Sequence, residues 1–327
     1  MRGKVVSAIL ILLLLVIVFG EAWNVTTMGD PEIIRVPEDY PTIQAAINAA
    51  GSGDSIYVRN GTYKENVLIN KAISLFGENS EATVIDGGNI GNVVRVIEDG
   101  VYVANFTIRN SGPGPDFNSG VALDHVRSCG IMNNNFSSNR WGILVFGSSG
   151  NQITNNKISS ISSGLGVALG VAVMFSSFNN SISRNTVTQP NGYSIYMQSS
   201  CNKNILSFNK ISSSNGEGIV LHDSHSNNIT CNEISSSYRG LRLTISNENW
   251  VYHNSFKNNT IGGLDNGVGN YWDCGYPSDG NYWSDYVDID EKRGPNQDQP
   301  GSDGIWDHPY VIDGSGQDAY PLVNPWT

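Results

Sequence analysis

Charge is what this chain has least of. Only 15% of its 327 residues are Asp, Glu, Lys or Arg. The net charge is −11, and from Asp265 to Thr327 twelve acidic residues stand against Lys292 and Arg293 alone, a local balance of −10. The body is therefore nearly neutral and the tail acidic. Nothing supplies the basic footprint that nucleic-acid binding requires. Leucine is scarce beyond the first twenty residues, which removes the scaffold of a leucine-rich repeat. The four cysteines, Cys129, Cys201, Cys231 and Cys274, include no CxxC or CxxxC pair, which speaks against a structural zinc site. Their even number permits two disulfides outside the cell, with three connectivities. Free thiols serving as small core residues are equally compatible.

The N-terminus is the one long apolar run. Arg2 and Lys4 precede Val5 to Phe19, and Gly20-Glu21-Ala22 follows. A basic start, an apolar stretch and a small-x-small site read as a signal peptide over residues 1–22, hence an extracytoplasmic protein. The run is shorter than the ~20 residues a spanning helix needs. If it is not cleaved, it is the expected membrane contact.

What replaces the missing residue types is a repeat rich in Gly, Asn and Ser. The pattern Asn-x-apolar-x-x-Asn-x-apolar reads NQITNNKI from Asn151, NSISRNTV from Asn180, NILSFNKI from Asn204, NNITCNEI from Asn227 and NWVYHNSF from Asn249. CGIMNNNF from Cys129 and VYVANFTI from Val101 are degenerate copies. The last apolar positions, Ile108, Phe136, Ile158, Val187, Ile211, Ile234 and Phe256, lie 28, 22, 29, 24, 23 and 22 residues apart. The two long steps hold insertions, GPGPD from Gly112 and GLGVALG from Gly164. A second short strand recurs as GVAL at Gly120, GILV at Gly142, GVAV at Gly170, SIYM at Ser194, GIVL at Gly218 and GLRL at Gly240. Its alternation is that of a half-buried strand. Short strands punctuated by Gly, Asn and Ser cannot form helical repeats. They predict coils of 22–24 residues with about three strands each, an all-β, right-handed parallel β-helix.

One register supports this independently. Asn134, Asn156, Asn185, Asn209, Asn232 and Asn254 fall at the same point of successive coils. Stacked amides can bond to each other and to turn backbone, so a buried Asn ladder is expected. The solenoid is expected over residues 33–264. Its first coil is covered by a capping helix over 42–50, with Thr42 near its start and Gly51 just past its end. Residues 265–327 form an aromatic, acidic C-terminal segment. From Asn270 onward it holds Trp272, Trp283, Trp306, Trp326 and six tyrosines, so it must fold, on the last coils or the apolar flank.

PTIQAAINAAGSGDSIYVRNGTYKENVLI from Pro41, the Asn repeats, GNYWSDY at Gly280, DGIWDHPYVID at Asp303 and DAYPL at Asp318 resemble the NosD-like group of right-handed β-helix proteins. Their repeats are called carbohydrate-binding and sugar-hydrolysis repeats. The resemblance implies a pectin-lyase-like fold, with periplasmic copper delivery at one extreme and polysaccharide cleavage at another. Fold alone licenses neither.

The residues bear on three kinds of function: catalysis, metal binding and recognition of a partner or glycan. Catalysis on a glycosidic bond needs two carboxyl groups within roughly 5–10 Å. Asp124/His125 and His222/Asp223 lie four coils apart, about 19 Å at ~4.8 Å per coil. Copper would take soft donors, and His222, His225 and Cys201, with Met197 and Cys231 nearby, are the grouping to test. Calcium takes oxygen donors, and Asp288, Asp290, Asp298, Asp303 and Asp307 supply them in a Gly/Pro-rich loop. The third function is binding. The outward positions Ala122, Leu144, Ala172, Tyr196, Val220 and Arg242, with Phe146 and Met174, form an apolar face that the tail or a partner must cover. Beside it Trp141, Tyr193, Glu217 and Arg239 make a column suited, with Tyr196, to sugar rings. We therefore expect a scaffold that binds surface glycan or an envelope protein, rather than a catalyst.

Overall fold

The computed structural model describes residues 31–114, 117–159, 167–188, 191–213, 215–314 and 316–326. The targeting segment over 1–22 lies outside the described residues. Each coil contributes one strand to each of three parallel sheets, and every sheet has ten rungs. Sheet A runs from Ile33–Val36 to Trp250–Tyr252, and sheet B from Gly61–Lys64 to Tyr282–Trp283. Sheet C runs from Val67–Ile69 to Asp313–Gly314. Most strands of A and B have three residues, while those of C between Ser119 and Asn266 have six. The protein is the right-handed parallel β-helix that the period predicts.

Register explains the core. Ile108, Phe136, Ile158, Val187, Ile211, Ile234, Phe256 and Trp283 pair in sequence along sheet B, and all are buried. On sheet C the +1 and +3 residues, such as Val121 and Leu123, point inward, and the +2 and +4 residues outward. A parallel ladder keeps like side chains at ~4.8 Å spacing, so one apolar column continues from coil to coil.

The Asn ladder is present, and a second one runs beside it. Oδ1 of Asn156 accepts from the backbone N–H of Asn134 at 3.0 Å, and Asn185, Asn209, Asn232 and Asn254 repeat the bond at 3.0 Å each. Each Nδ2 also donates to the next Oδ1 and back to a carbonyl, as Asn209 does to Ile182 at 2.8 Å. The ladder continues through Asn281 and ends on Asp318. The second ladder links Asn151, Asn180, Asn204, Asn227, Asn249 and Asn270, at the first Asn of the same motif. Both satisfy turn N–H groups that the coil buries and cannot pair strand to strand.

The N-terminal cap helix spans Ile43–Ala49 and buries Ile43, Ala46 and Ile47. Thr42 Oγ1 accepts from Ala45 N at 3.1 Å, and Glu65 accepts from the N–H groups of Ile43 and Gln44. Those bonds satisfy orphan donors of the first turn. The exit differs from expectation. Ala50 is extended and Gly51 is not left-handed; the positive φ, 97°, falls at Gly53. Lys71 Nζ takes the carbonyls of Asn48 and Ala50 instead.

The tail folds on the last coils, the first of its two expected positions. Tyr282–Trp283 and Asp313–Gly314 supply the final rungs of sheets B and C. The long strand Ile261–Asn266 crosses residue 265, so the segment begins inside a coil. Trp283 stacks between Phe256 (4.3 Å) and Tyr310 (4.2 Å). Trp272 Nε1 donates to Asp265, and Trp283 Nε1 to Asp318. Asp318 is fully buried and accepts from Asn281 N at 2.7 Å. Burial pushes its carboxyl from 3.8 up to about 7, against the pull of these donors. A folded-state pKa raised in this way contributes stability present below about pH 4 and lost as pH rises through about 7. Relative to Asp318→Asn, the wild-type unfolding midpoint is thus expected to fall across that window. Parallel midpoints in a pH series of thermal melts would contradict this.

Candidate functional site

The outer face of sheet C carries three zones. At its N-terminal end Asp124 is held by Arg95 Nε at 3.0 Å and by His125 Nδ1 at 2.7 Å. Burial acts upward on this carboxyl, but Arg95 and His125 outweigh it and hold it below the usual range.

The middle zone is the apolar face, and side chains next to it, not the C-terminal segment, pack on it. Ala122, Trp141, Leu144, Leu169, Ala172 and Met174 form a second buried cluster outside the helix. Side chains of this chain close over it. Phe117, after the first insertion, packs 5.2 Å from Trp141 and 6.0 Å from Phe146, and Phe175 packs 4.7 Å from Phe146. Trp141 Nε1 donates to the carbonyl of Val167 in the second insertion. Trp141 is thus part of the packed cover, and the accessible column begins at Tyr193.

The third zone gathers four of the five residues of the sugar-ring column. Tyr193 and Tyr196 have ring centroids 5.2 Å apart. One and two rungs on, Glu217 accepts from Arg239 Nη1 at 2.9 Å and from Arg242 Nε at 2.7 Å. Arg242 lies over the Tyr193 ring at 5.7 Å, and Arg239 over Tyr238 at 4.8 Å. Glu217 is only 8% exposed, so its charge is taken up by the two guanidinium groups. Nε of Arg239 is buried without a partner, leaving a donor unmatched beside the cluster. Tyr196 donates to Gln198 Oε1 at 2.7 Å, and burial raises its phenol, which keeps it a neutral donor. The zone is cationic by one charge and flanked by two aromatic rings. Arg242 and the covering Phe117 were not among the sugar-binding residues read from the sequence. The one-coil spacing of Glu217, Arg239 and Arg242 was the available signal.

The expected copper donors do not converge. The Cys201 thiol is in the core, donating to the carbonyls of Val173 (3.3 Å) and Gln198 (3.1 Å), and burial pushes it up to about 11. It occupies a turn column otherwise filled by Ser148, Ser177, Ser224 and Ser246, where an inward polar group caps carbonyls. Met197 is likewise core. His225 Nδ1 accepts from Asn247 N at 3.1 Å, so Nε2 carries the proton toward Asp223 and the neutral ring has no free lone pair. Cys201 and His225 therefore offer a copper ion no free donor, and His222 stands half-buried at the end of its strand.

The acidic loop also distributes its carboxylates. Asp288 takes His308, Asp290 takes Asp303 N and Gly304 N, Asp303 takes Gly294 N and Ile305 N, and Asp307 takes Glu291 N and Lys292 N. Asp298 is exposed. Asp288, Asp290 and Asp307 thus tie the segment 288–292 to 302–308 by capping backbone N–H groups, and Asp303 caps N–H groups at Gly294 and within its own turn. Among the described residues no three His, Cys, Asp or Glu side chains gather as a metal-holding group.

A right-handed parallel β-helix with an aromatic and ion-paired surface on the sheet with the longest strands is the class these features define. The chain belongs to the NosD family: the family profile described as periplasmic copper-binding protein (NosD) matches residues 47–287. No curated sequence matches the chain. Among solved structures it is similar to the catalytic domain of a GH87 α-1,3-glucanase in complex with tetrasaccharides, with a TM-score of 0.55 and 13% identity over 81% of this chain and 48% of that one. A PL6 family alginate lyase gives 0.54 and 22%, over 69% and 35%. A Geobacillus virus protein gives 0.51 and 16%, over 87% and 65%. The chain thus spans a third to two thirds of these proteins, and at such identities the likeness concerns the fold. No helix among the described residues is long and apolar enough to cross a membrane.

Proposed function

We propose that this protein is an exported, non-catalytic scaffold that binds a polysaccharide along the outer face of sheet C. One observation carries the reading: Tyr193 and Tyr196 meet the Glu217–Arg239–Arg242 cluster on a straight, rigid column. Aromatic faces accept the C–H side of a sugar ring, and a few fixed polar groups at their edge orient its hydroxyls. Strand repetition at ~4.8 Å offers such groups along a line, which suits a chain more than a single sugar. Two structural neighbours are, by their names, an alginate lyase and an α-1,3-glucanase.

The spacing of the carboxylates supports binding without cleavage. Asp124 and Glu217 are separated by four rungs, about 19 Å at ~4.8 Å each, beyond the reach of one glycosidic bond. Both are held in ion pairs. Export rests on the N-terminal segment and agrees with the periplasmic description of the family.

The test is affinity electrophoresis of the mature chain in gels containing neutral or acidic polysaccharides. Retardation is expected, stronger with an acidic chain because of the local positive charge, and weakened by salt. Tyr193→Ala and Arg242→Ala should each weaken it about tenfold or more, the ~1.4 kcal/mol scale of a contributing contact. Gln152→Ala, on the exposed side of sheet A, should not. Retardation equal in all variants, or absent with every polymer, would overturn the proposal.

A further inference from the structure

At the C-terminal end of sheet A an open groove of about 530 Å³ lies where the chain turns from sheet C into sheet A. Its aromatic part is Trp250, on the last strand of sheet A, and Tyr271, which extends that column through a single parallel bridge. The two rings stack at 4.3 Å and 19°, yet Trp250 stays 42% and Tyr271 49% exposed. Sheet A has no strand after Trp250–Tyr252, so none of its strands packs over Tyr271. The polar part is the corner itself. Ser226, Glu248 and Gly269 fall at one point of successive coils, all left-handed, with φ of 54°, 57° and 67°. Gly and Asn tolerate that conformation, so Glu248 holds its carboxylate there against its backbone preference. Glu248 N donates to the Val268 carbonyl at 3.2 Å and Val268 N to Asn247 Oδ1 at 2.9 Å, which fixes the corner. Glu248 Oε2 accepts from Ser226 Oγ at 3.3 Å, and among the described residues the carboxylate has no ion pair.

We propose that this groove binds a free small organic ammonium ion, with its charge toward Glu248 and its alkyl groups against Trp250 and Tyr271. Sign decides the ligand class. Of the described residues that line the groove, none is Lys, Arg or His. Lys203, the basic residue of the same turn column, stands two rungs before Glu248, about 10 Å away, and is largely screened at that distance. The net charge of −11 draws cations toward the chain and repels anions. Indole and phenol rings add to this, since their faces attract a cation and their carbon atoms shelter its alkyl groups. A neutral ligand would gain the ring contact alone. The volume lies within the range of small-molecule sites. The proposal is independent of the saccharide reading, which concerns sheet C and a surface of the opposite charge.

The test is NMR titration of the mature chain with choline, following the indole N–H signals. The Trp250 signal, assigned as the one missing from Trp250→Phe, should shift and saturate with a Kd of about 1 mM, as suits a small ligand in an open groove. The neutral isostere of choline, with a tert-butyl group in place of the trimethylammonium, should bind about tenfold more weakly. Glu248→Gln, exposed and nearly equal in shape, should weaken choline about three- to fivefold, the effect of one exposed charge pair. Tyr271→Ala should weaken it by a similar factor. Gln152→Ala, elsewhere on sheet A, should bind as wild type. Equal affinity for choline and its neutral isostere, unchanged affinity in Glu248→Gln, or no shift of the Trp250 signal would each overturn the proposal.

Discussion

Replacing Asn209 with alanine is expected to lower stability by about 3–5 kcal/mol, because several buried polar groups lose partners at once. Oδ1 of Asn209 accepts from both the N–H and Nδ2 of Asn185, and its Nδ2 donates to Ile182 and Asn232. The substitution leaves the Asn185 N–H and the Ile182 carbonyl buried in a turn that water does not reach. Lys210→Ala, one residue away and exposed, should change stability by no more than ~0.5 kcal/mol. The ladder also couples coils, and solenoid stability is close to a sum of repeat and interface terms. Urea unfolding of Asn209→Ala should therefore show an early transition absent from the wild type. A midpoint equal to that of Lys210→Ala would contradict a structural ladder.

Trp283→Ala is expected to release the C-terminal segment at a cost of about 3–5 kcal/mol, the range for a buried large-to-small change. The indole fills the space between Phe256 and Tyr310 and donates to the buried Asp318. Without it the apolar end of sheet B is open, and Asp318 loses one of its donors. Terminal coils of a solenoid need such covers. Limited proteolysis should cut the variant rapidly between Trp283 and Asp318 while the coils before Asn249 survive. Trp283→Phe, which keeps a stacking ring but no N–H, should be intermediate. Wild-type cleavage rates in Trp283→Ala would show that the cap does not rest on this ring.

The body of the fold was legible because its period is written in the side chains. Each coil repeats one Asn, one aliphatic column and one Gly-led strand, and physical stacking demands all three. The second ladder stood in the same motif, at Asn151 and its equivalents, yet it needed the turn geometry to be seen. Cys201 was misread as a ligand, although its column is serine in the neighbouring coils and register alone would have placed it inside. The acidic tail was misread for a different reason. Oxygen density along a sequence does not say whether carboxylates turn toward a cation or cap the backbone N–H groups of a facing segment, and Asp290 and Asp307 do the latter. Likewise, what covers the apolar face of sheet C depends on Phe117, just past the first insertion, and on Val167 within the second, neither of which follows the period. The column Tyr193, Tyr196, Glu217, Arg239 was readable because the surface obeys the same register as the core.

The central claim is that the outer face of sheet C binds a sugar chain. Crystals of the mature chain soaked with oligosaccharides from the most strongly retained polymer test it directly. The account predicts sugar rings against Tyr193 or Tyr196, within the ~4 Å of a packing contact, and hydrogen-bonded to Arg239 or Arg242. Sugar bound on sheet A or B, with the Tyr193–Arg242 column bare, would contradict it.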